Sequence, residues 1–150
     1  MLGACLRSAP AALLFLSACS APGPSSPAQP SAAAGIRPED IVGRWGYAAY
    51  YNEKDRPRIE AAARAQCNRP AVIKSGPNGG VVMPIANQTP GQEQVIKSGP
   101  EGRNYIGPPG DPGGADDSEI ITFDGKMLIT RTVAADDGGH LTSIYVRCKT

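Results

Sequence analysis

Apolar and polar residues alternate with a period of two along much of this chain, which is the pattern of a half-buried β-strand. The alternation starts at residues 44–51, where four alternate side chains share one face: Trp45, Tyr47, Ala49 and Tyr51. Further apolar runs occur later in the chain, and Gly, Pro or Asp residues bound each of them. Together these runs predict about eight short strands joined by turns.

Residues 55–66 are the one segment whose composition favours a helix. Asp55 is suited to the N-cap position and Pro57 to the first turn, and an alanine run follows them. Asn68 and Pro70 end the segment, since neither residue continues a helix readily. We therefore expect a single short helix directly after the first strand.

The six-residue segment Val-Ile-Lys-Ser-Gly-Pro occurs at 72–77 and again at 95–100. Each copy is followed by a glycine-containing turn and another apolar run, which indicates two hairpins with similar turns. Asp124-Gly125 is the strongest hairpin signal in the chain. A catalytic Ser-Lys pair is the other interpretation of the repeat, but adjacent strand residues point to opposite faces. Turn chemistry is the better explanation.

Antiparallel strands in a domain of this size can close on themselves, and closure removes exposed strand edges. The predicted fold class is therefore mainly β: a small up-and-down antiparallel barrel with one short helix after the first strand. The barrel is expected over residues 36–150, and an interior filled by Trp45, Tyr47 and Ile129 would leave no cavity for a ligand. Tyr50 and Tyr51 are expected to be exposed aromatic side chains.

The N-terminal residues have the order of a secretory signal: a positive charge at Arg7, an apolar run over 11–16, then small residues. Leu16-Ser17-Ala18-Cys19 resembles the lipobox of bacterial lipoprotein precursors, in which cleavage precedes the cysteine. This resemblance implies that residues 1–18 are a signal peptide and that Cys19 is lipidated as the mature N-terminus. An ordinary signal peptide with an incidental cysteine is the alternative.

Residues 20–35 carry no large apolar side chain and are rich in Pro, Ala and Ser. Such a segment cannot bury enough surface to offset its ordering entropy. Residues 19–35 are therefore predicted to be the lipidated cysteine and a disordered tether, which joins the domain to a membrane. Ser20 stands where bacterial lipoproteins of the inner membrane usually carry Asp. By resemblance to that sorting rule, we expect the outer membrane, facing the periplasm.

Two of the four cysteines are left after this assignment, because Cys5 leaves with the signal peptide and Cys19 carries lipid. Cys67 and Cys148 form an even pair in an oxidising compartment, which favours a disulfide between them. Two separate buried thiols are the alternative. A metal site is disfavoured, since two cysteines and His140 supply too few ligands.

The formal net charge is +1, and it falls to zero when Arg7 is removed with the signal peptide. Because no long block of one sign is present, the domain has no global field that would attract nucleic acid or an acidic surface. No nucleophilic triad, phosphate-binding loop or zinc spacing occurs, and His140 is the sole histidine. The acidic residues at 111–119 do not have the spacing of a calcium loop. The sequence therefore predicts neither an enzyme nor a cofactor.

Gly43-Arg44-Trp45 at the start of the first strand resembles the Gly-x-Trp signature of the calycins, a superfamily that includes the lipocalins. In calycin barrels a basic residue near the end of the last strand packs over that tryptophan, and Arg147 holds the matching position here. The resemblance implies a calycin-like barrel, nearest in size to periplasmic protease-inhibitor barrels. No inhibitory motif of those proteins is matched, so no inhibitory residue is carried over.

The anchor, the tether and the cysteine pair favour a non-catalytic, lipid-anchored envelope protein that binds a macromolecular partner, as an inhibitor or as an assembly or structural factor. The Gly- and Pro-rich loop at 107–114 is an exposed surface on which to look for that partner. The alternative is a small apolar ligand held inside a lipocalin-like barrel. A hydrolase with an unrecognised site is the third hypothesis.

Overall fold

The computed structural model describes residues 35–85, 89–135 and 137–149. The strands in that part of the chain are β1 Gly43–Tyr50, β2 Ala71–Ser75, β3 Val81–Val82, β4 Glu93–Ser98, β5 Asn104–Gly107, β6 Ser118–Phe123, β7 Met127–Thr132 and β8 Thr142–Arg147. The helices are α1 Pro38–Ile41 and α2 Arg56–Ala65, and 3₁₀ turns occupy Glu53–Asp55, Gln66–Asn68 and Pro100–Gly102. None of these helices is long and apolar enough to cross a membrane. The predicted signal peptide and Cys19 lie outside the described residues.

The strands of the described chain close into an antiparallel barrel in which each strand pairs with its neighbours in sequence. β1 and β8 close the barrel, with paired residues that run from Trp45 opposite Arg147 to Tyr50 opposite Thr142. The predicted fold class is confirmed: the barrel has eight strands, and α2 follows the first of them.

The barrel interior is lined by apolar side chains that alternate along the strands. The most deeply buried of them include Trp45, Ile73, Val81, Ile106, Leu128 and Tyr145. The short helix α1, which the sequence did not predict, precedes β1, and its Ile41 carbonyl accepts a 2.8 Å hydrogen bond from the Trp45 indole. That bond satisfies the one polar atom of a side chain packed among apolar groups. We call this part of the molecule the Trp45 end of the barrel.

The helix α2 covers a second apolar cluster on the outer face of the barrel. Ile129 belongs to this outer cluster with Ile144 and Ala63, so it is not one of the side chains that occupy the interior. Ile129 and Ile144 are register partners, and residues paired across an antiparallel ladder share a face. Tyr50 lies in the same cluster and is only 5% exposed, whereas Tyr51 is 50% exposed. The prediction of an exposed side chain is therefore wrong for Tyr50, because α2 covers it, and correct for Tyr51.

Cys67 and Cys148 form the favoured disulfide, with an S–S distance of 2.01 Å and a Cα–Cα distance of 5.5 Å. The bridge joins the 3₁₀ turn after α2 to the residue that follows β8, across a sequence separation of 81. Gly46 makes room for this outer layer, because a Cβ there would lie 1.9 Å from the Ala63 carbonyl oxygen.

The two copies of the repeated segment form the predicted hairpins and close their turns in the same way. In the first copy the Gly76 amide donates to the Gly80 carbonyl at 2.8 Å. In the second copy the Gly99 amide donates to the Arg103 carbonyl, also at 2.8 Å. The interpretation of the repeat as turn chemistry is confirmed.

Candidate functional site

Gly43, Trp45 and Arg147, the residues of the Gly-x-Trp resemblance, meet at the Trp45 end of the barrel. The guanidinium carbon of Arg147 lies 4.1 Å from the centre of the Trp45 ring, within cation–π range. The guanidinium also donates hydrogen bonds to three backbone carbonyls, those of Asp40, Val42 and Gly125. At Gly43, where φ is 143°, a Cβ would lie 2.9 Å from Arg147 Nη1. Arg147 therefore fastens α1, the approach to β1 and the β6–β7 turn to one another.

An open groove of about 720 Å³ lies beside this end, bordered by α2, the start of β1, the β6–β7 turn and the end of β8. Five of its lining side chains are cationic: Arg44, Arg64, Lys126, Arg147 and Lys149. Met127, Val146 and Cys148 form its apolar floor. We call this surface the basic groove.

Three of the five cationic groups are free to meet a ligand. Arg147 stacks on Trp45 and donates hydrogen bonds to backbone carbonyls, and Arg64 forms a salt bridge with Glu60. The other three are exposed, and no salt bridge holds any of them within the described part of the chain: Arg44, Lys126 and Lys149.

Among the described residues, Asp124 is the one acidic residue that lines the basic groove, and its carboxylate is hydrogen-bonded to the backbone of its own turn. Its Oδ1 accepts hydrogen bonds from the amides of Lys126 at 2.8 Å and Met127 at 2.7 Å. These bonds, aided by the charge of Lys126, hold the pKa of Asp124 below its ordinary value. The carboxylate therefore stabilises the β6–β7 turn, and the groove keeps an excess of positive charge.

The loop between β5 and β6 folds back against the barrel and is held there by a buried ion pair. The side chains of Lys97 and Asp117 are 7% and 2% exposed, and Lys97 Nζ lies 2.5 Å from Asp117 Oδ1. The ammonium also donates to the carbonyls of Pro108 at 2.9 Å and Asp111 at 3.3 Å. All three of its protons therefore have acceptors.

The Asp117 carboxylate is equally well satisfied. Its Oδ2 accepts hydrogen bonds from the amides of Gly113 at 2.8 Å and Gly114 at 3.1 Å. Gly107 permits this arrangement, because a Cβ there would lie 2.0 Å from Asp117 Oδ1. Full pairing is what allows an ion pair to be buried without leaving an uncompensated charge. We call residues 108–117 the pinned loop.

The other candidate residues show no comparable assembly. His140 lies exposed, with its Nδ1 2.7 Å from the Thr132 carbonyl oxygen. Among the described residues, no group of three His, Cys, Asp or Glu side chains could hold a metal ion. Asp117, one of the acidic residues between 111 and 119, is paired with Lys97 instead.

Sequence reasoning missed both the basic groove and the buried ion pair. The groove draws its cations from four separate segments, so no local motif marks it. Lys74 and Lys97 occupy equivalent positions of the repeat, yet Lys74 is exposed and Lys97 is buried. The difference lies in the segment after each hairpin, since only the second hairpin leads into a Gly- and Pro-rich loop that ends in an aspartate.

Comparison with protein-family profiles, curated proteins and solved structures found no match for this chain. Its function is therefore argued from the chain's own residues and geometry.

Proposed function

We propose that this protein is a non-catalytic binding protein of the bacterial cell envelope, anchored by lipid on Cys19, whose pinned loop recognises a partner protein. The partner is one that the protein inhibits or helps to assemble. The lipobox-like residues 16–19 and the Pro- and Ala-rich segment after them support the anchor. Arg147 over Trp45 supports a calycin-like barrel. The observation that carries the proposal is the buried Lys97–Asp117 pair beneath the loop.

The connection between β5 and β6 is longer than a hairpin requires. Two to five residues close most hairpins, whereas here residues 108–117 intervene. A Gly- and Pro-rich segment has little apolar surface of its own to bury, so ordering it has an entropic cost. The ion pair and its hydrogen bonds offset that cost and hold the loop in one conformation.

A loop held in one conformation is suited to recognition, since it loses less conformational entropy on binding than a mobile loop does. The pinned loop exposes residues 109–111 and 113–116, while the ion pair beneath it is buried. Binding residues occur often on loops that a rigid scaffold positions. These features together favour the pinned loop as the partner-binding surface.

Photo-crosslinking in intact cells tests this assignment. A crosslinking residue at Pro109 or Ala115 is expected to give the same protein adduct, identified by mass spectrometry, and a crosslinking residue at the exposed Ala61 of α2 is not. The adduct is expected to weaken when Lys97→Met releases the loop. Identical adducts from the loop positions and from Ala61, or none from the loop, would sink the proposal.

A second candidate function, small-ligand binding inside the barrel, is favoured by one observation. Gln94 is 1% exposed, and its Oε1 has no hydrogen-bond partner in the described part of the chain. A ligand with a hydroxyl or amide donor near an apolar body fits that oxygen. Native mass spectrometry of protein purified from its own cells tests this: a bound small molecule that Gln94→Leu loses supports the candidate, and ligand-free protein contradicts it.

A further inference from the structure

We propose that the basic groove binds the phosphate groups of an anionic phospholipid membrane and thereby seats the Trp45 end of the barrel on the membrane surface. The ligand chemistry is that of a phosphodiester headgroup with the first part of its acyl chains. The geometric part of the inference rests on the proposed anchor at Cys19. It is independent of the pinned loop and its partner.

The free cations of the basic groove match phosphate oxygens in charge and number of donors. Arg44, Lys126 and Lys149 border one opening of about 720 Å³ and form no salt bridge in the described chain. Ammonium and guanidinium groups make charge-assisted hydrogen bonds to phosphate, and neighbouring cations near an anionic surface add their effects. Because the whole chain has a net charge of only +1, the attraction comes from this local cluster.

The floor of the basic groove favours a lipid over a bare phosphate ion. Met127 and Val146 lie beneath the cationic rim, beside the disulfide-bonded Cys148. Lysine and arginine side chains at a membrane surface keep their apolar stems towards hydrocarbon and their charged ends among the headgroups. An apolar floor under a cationic rim offers the same arrangement to a lipid molecule, whereas a soluble anion needs the rim alone.

The chain enters the barrel at the end where the basic groove lies. Arg147 lines the groove and hydrogen-bonds the carbonyls of Asp40 and Val42, which directly precede β1. Residues 20–34 separate Cys19 from the first described residue, and a segment of that length spans at most about 55 Å. An anchored barrel is thus kept at a high effective concentration beside the headgroups, so a weak affinity is enough to seat it.

The first experiment separates the groove from the anchor. The chain from residue 19 to 150, carrying Cys19→Ser, is mixed with vesicles of neutral phosphatidylcholine or with vesicles that also contain anionic phosphatidylglycerol. Co-sedimentation measures the bound fraction at low and high salt. We expect binding to the anionic vesicles alone, and its loss towards 1 M salt, where the screening length falls to about 3 Å.

Charge-neutralising variants test whether the groove itself is responsible. Each cation near an anionic surface contributes about fivefold in affinity, so Arg44→Gln/Lys126→Gln/Lys149→Gln is expected to bind about a hundredfold more weakly. The matched control, Lys54→Gln/Arg56→Gln/Arg69→Gln, removes the same charge from exposed positions outside the groove. We expect less than about threefold from the control, because these cations lie outside the groove that is proposed to face the membrane. Equal losses in the two variants would overturn the proposal.

A second measurement uses the lipidated protein reconstituted into the same vesicles. Acylation of lysine side chains, read by mass spectrometry, is expected to slow at Lys126 and Lys149 when the vesicles are anionic. Lys54, which follows the far end of β1, serves as the internal reference whose labelling is expected to stay unchanged. Equal labelling of Lys126 in neutral and anionic vesicles would argue against a seated groove.

Inorganic phosphate distinguishes the two sources of the ligand chemistry. If phosphate alone binds the Cys19→Ser chain as tightly as the vesicles do, the groove is a site for a soluble anion and the membrane proposal is overturned. Vesicle binding by a chain that proves not to be acylated in cells would support the groove and contradict the anchor. Failure of the Cys19→Ser chain to bind anionic vesicles overturns the groove, whatever the state of Cys19.

Discussion

Lys97 and Arg147 are two basic residues whose charges are used within the protein. Lys97 meets a carboxylate and two carbonyls under the pinned loop, and Arg147 meets three carbonyls and an aromatic face at the Trp45 end. In both places one cation ties together segments that are distant in sequence. A buried acceptor left without its donor costs about 1–3 kcal/mol, and more when the acceptor is charged.

Replacing Lys97 by Met is expected to destabilise the protein by about 3–5 kcal/mol, because Asp117 is left as an uncompensated buried charge. In the double variant Lys97→Met/Asp117→Asn that charge is absent, so its cost should be less than the sum of the single costs. Urea unfolding followed by the fluorescence of Trp45 measures these differences. Lys74→Met, the same change in the exposed copy of the repeat, is the control and is expected to stay within about 0.5 kcal/mol. Equal effects at Lys97 and Lys74 would contradict the role of the ion pair.

Among the elements, the β6–β7 turn depends on an ionised carboxylate. Hydrogen bonds from the backbone amides of Lys126 and Met127 lower the pKa of Asp124 in the folded protein. A lowered folded-state pKa means that the carboxylate adds stability above its unfolded pKa, and that this stability is lost as the pH falls through the folded value.

The Tm of Asp124→Ala is therefore expected to lie below that of the unmodified protein at about pH 6, with a difference that narrows as the pH falls below about 4. Thermal unfolding across this pH range provides the measurement. Asp124→Asn keeps an oxygen acceptor without a titrating group, so the difference in Tm between the Asn and Ala variants should not vary with pH. A constant difference between the unmodified protein and Asp124→Ala would show that the ionised form has no special role.

The disulfide joins the end of the α2 segment to the end of the barrel. Cys67→Ser/Cys148→Ser is expected to lower the free energy of unfolding by about 2–5 kcal/mol, since a long loop is no longer closed in the unfolded chain. Urea midpoints measured with and without dithiothreitol check this. The reductant should bring the unmodified protein to the midpoint of the double variant and leave the variant unchanged. Unchanged stability in the double variant would contradict the prediction.

The strands and turns were predictable from the sequence because a few neighbouring residues determine each of them. The basic groove and the buried ion pair were not predictable, because their residues are far apart in the sequence. Asp124-Gly125 and the repeated segment mark hairpins within a few residues, and two-residue alternation marks the inward face of β1. The choice between Tyr50 and Tyr51 as the exposed tyrosine depends on where α2 packs, which no local pattern states. Similarly, Arg44 and Lys126 become neighbours in the basic groove only when the barrel closes.

At the scale of the whole molecule, the basic groove and the pinned loop occupy different surfaces, the first proposed to bind the membrane and the second a partner protein. The basic groove lies where the chain enters the barrel, and the pinned loop lies against another part of the wall, held by β4 through Lys97. If the groove faces the headgroups, the loop is presented in a restricted set of orientations. Groove variants should then weaken crosslinking at the pinned loop in cells without changing the stability of the barrel.

This arrangement depends on the proposed lipid anchor. The two N-terminal cysteines of the chain, Cys5 and Cys19, allow a matched test of that anchor. Cys19→Ala removes the predicted acylation site, so the protein is expected to move from the detergent phase to the aqueous phase in a detergent phase-separation assay of whole cells. Cys5→Ala changes a residue that the predicted cleavage discards, and its partition should equal that of the unmodified protein. Mass spectrometry of the N-terminal peptide should find Cys19 as the first residue, with the added mass of its acyl groups. A Cys19→Ala protein that stays in the detergent phase would mean that the residues around 16–19 resemble a lipobox without acting as one, and that the barrel is held at the membrane by other means.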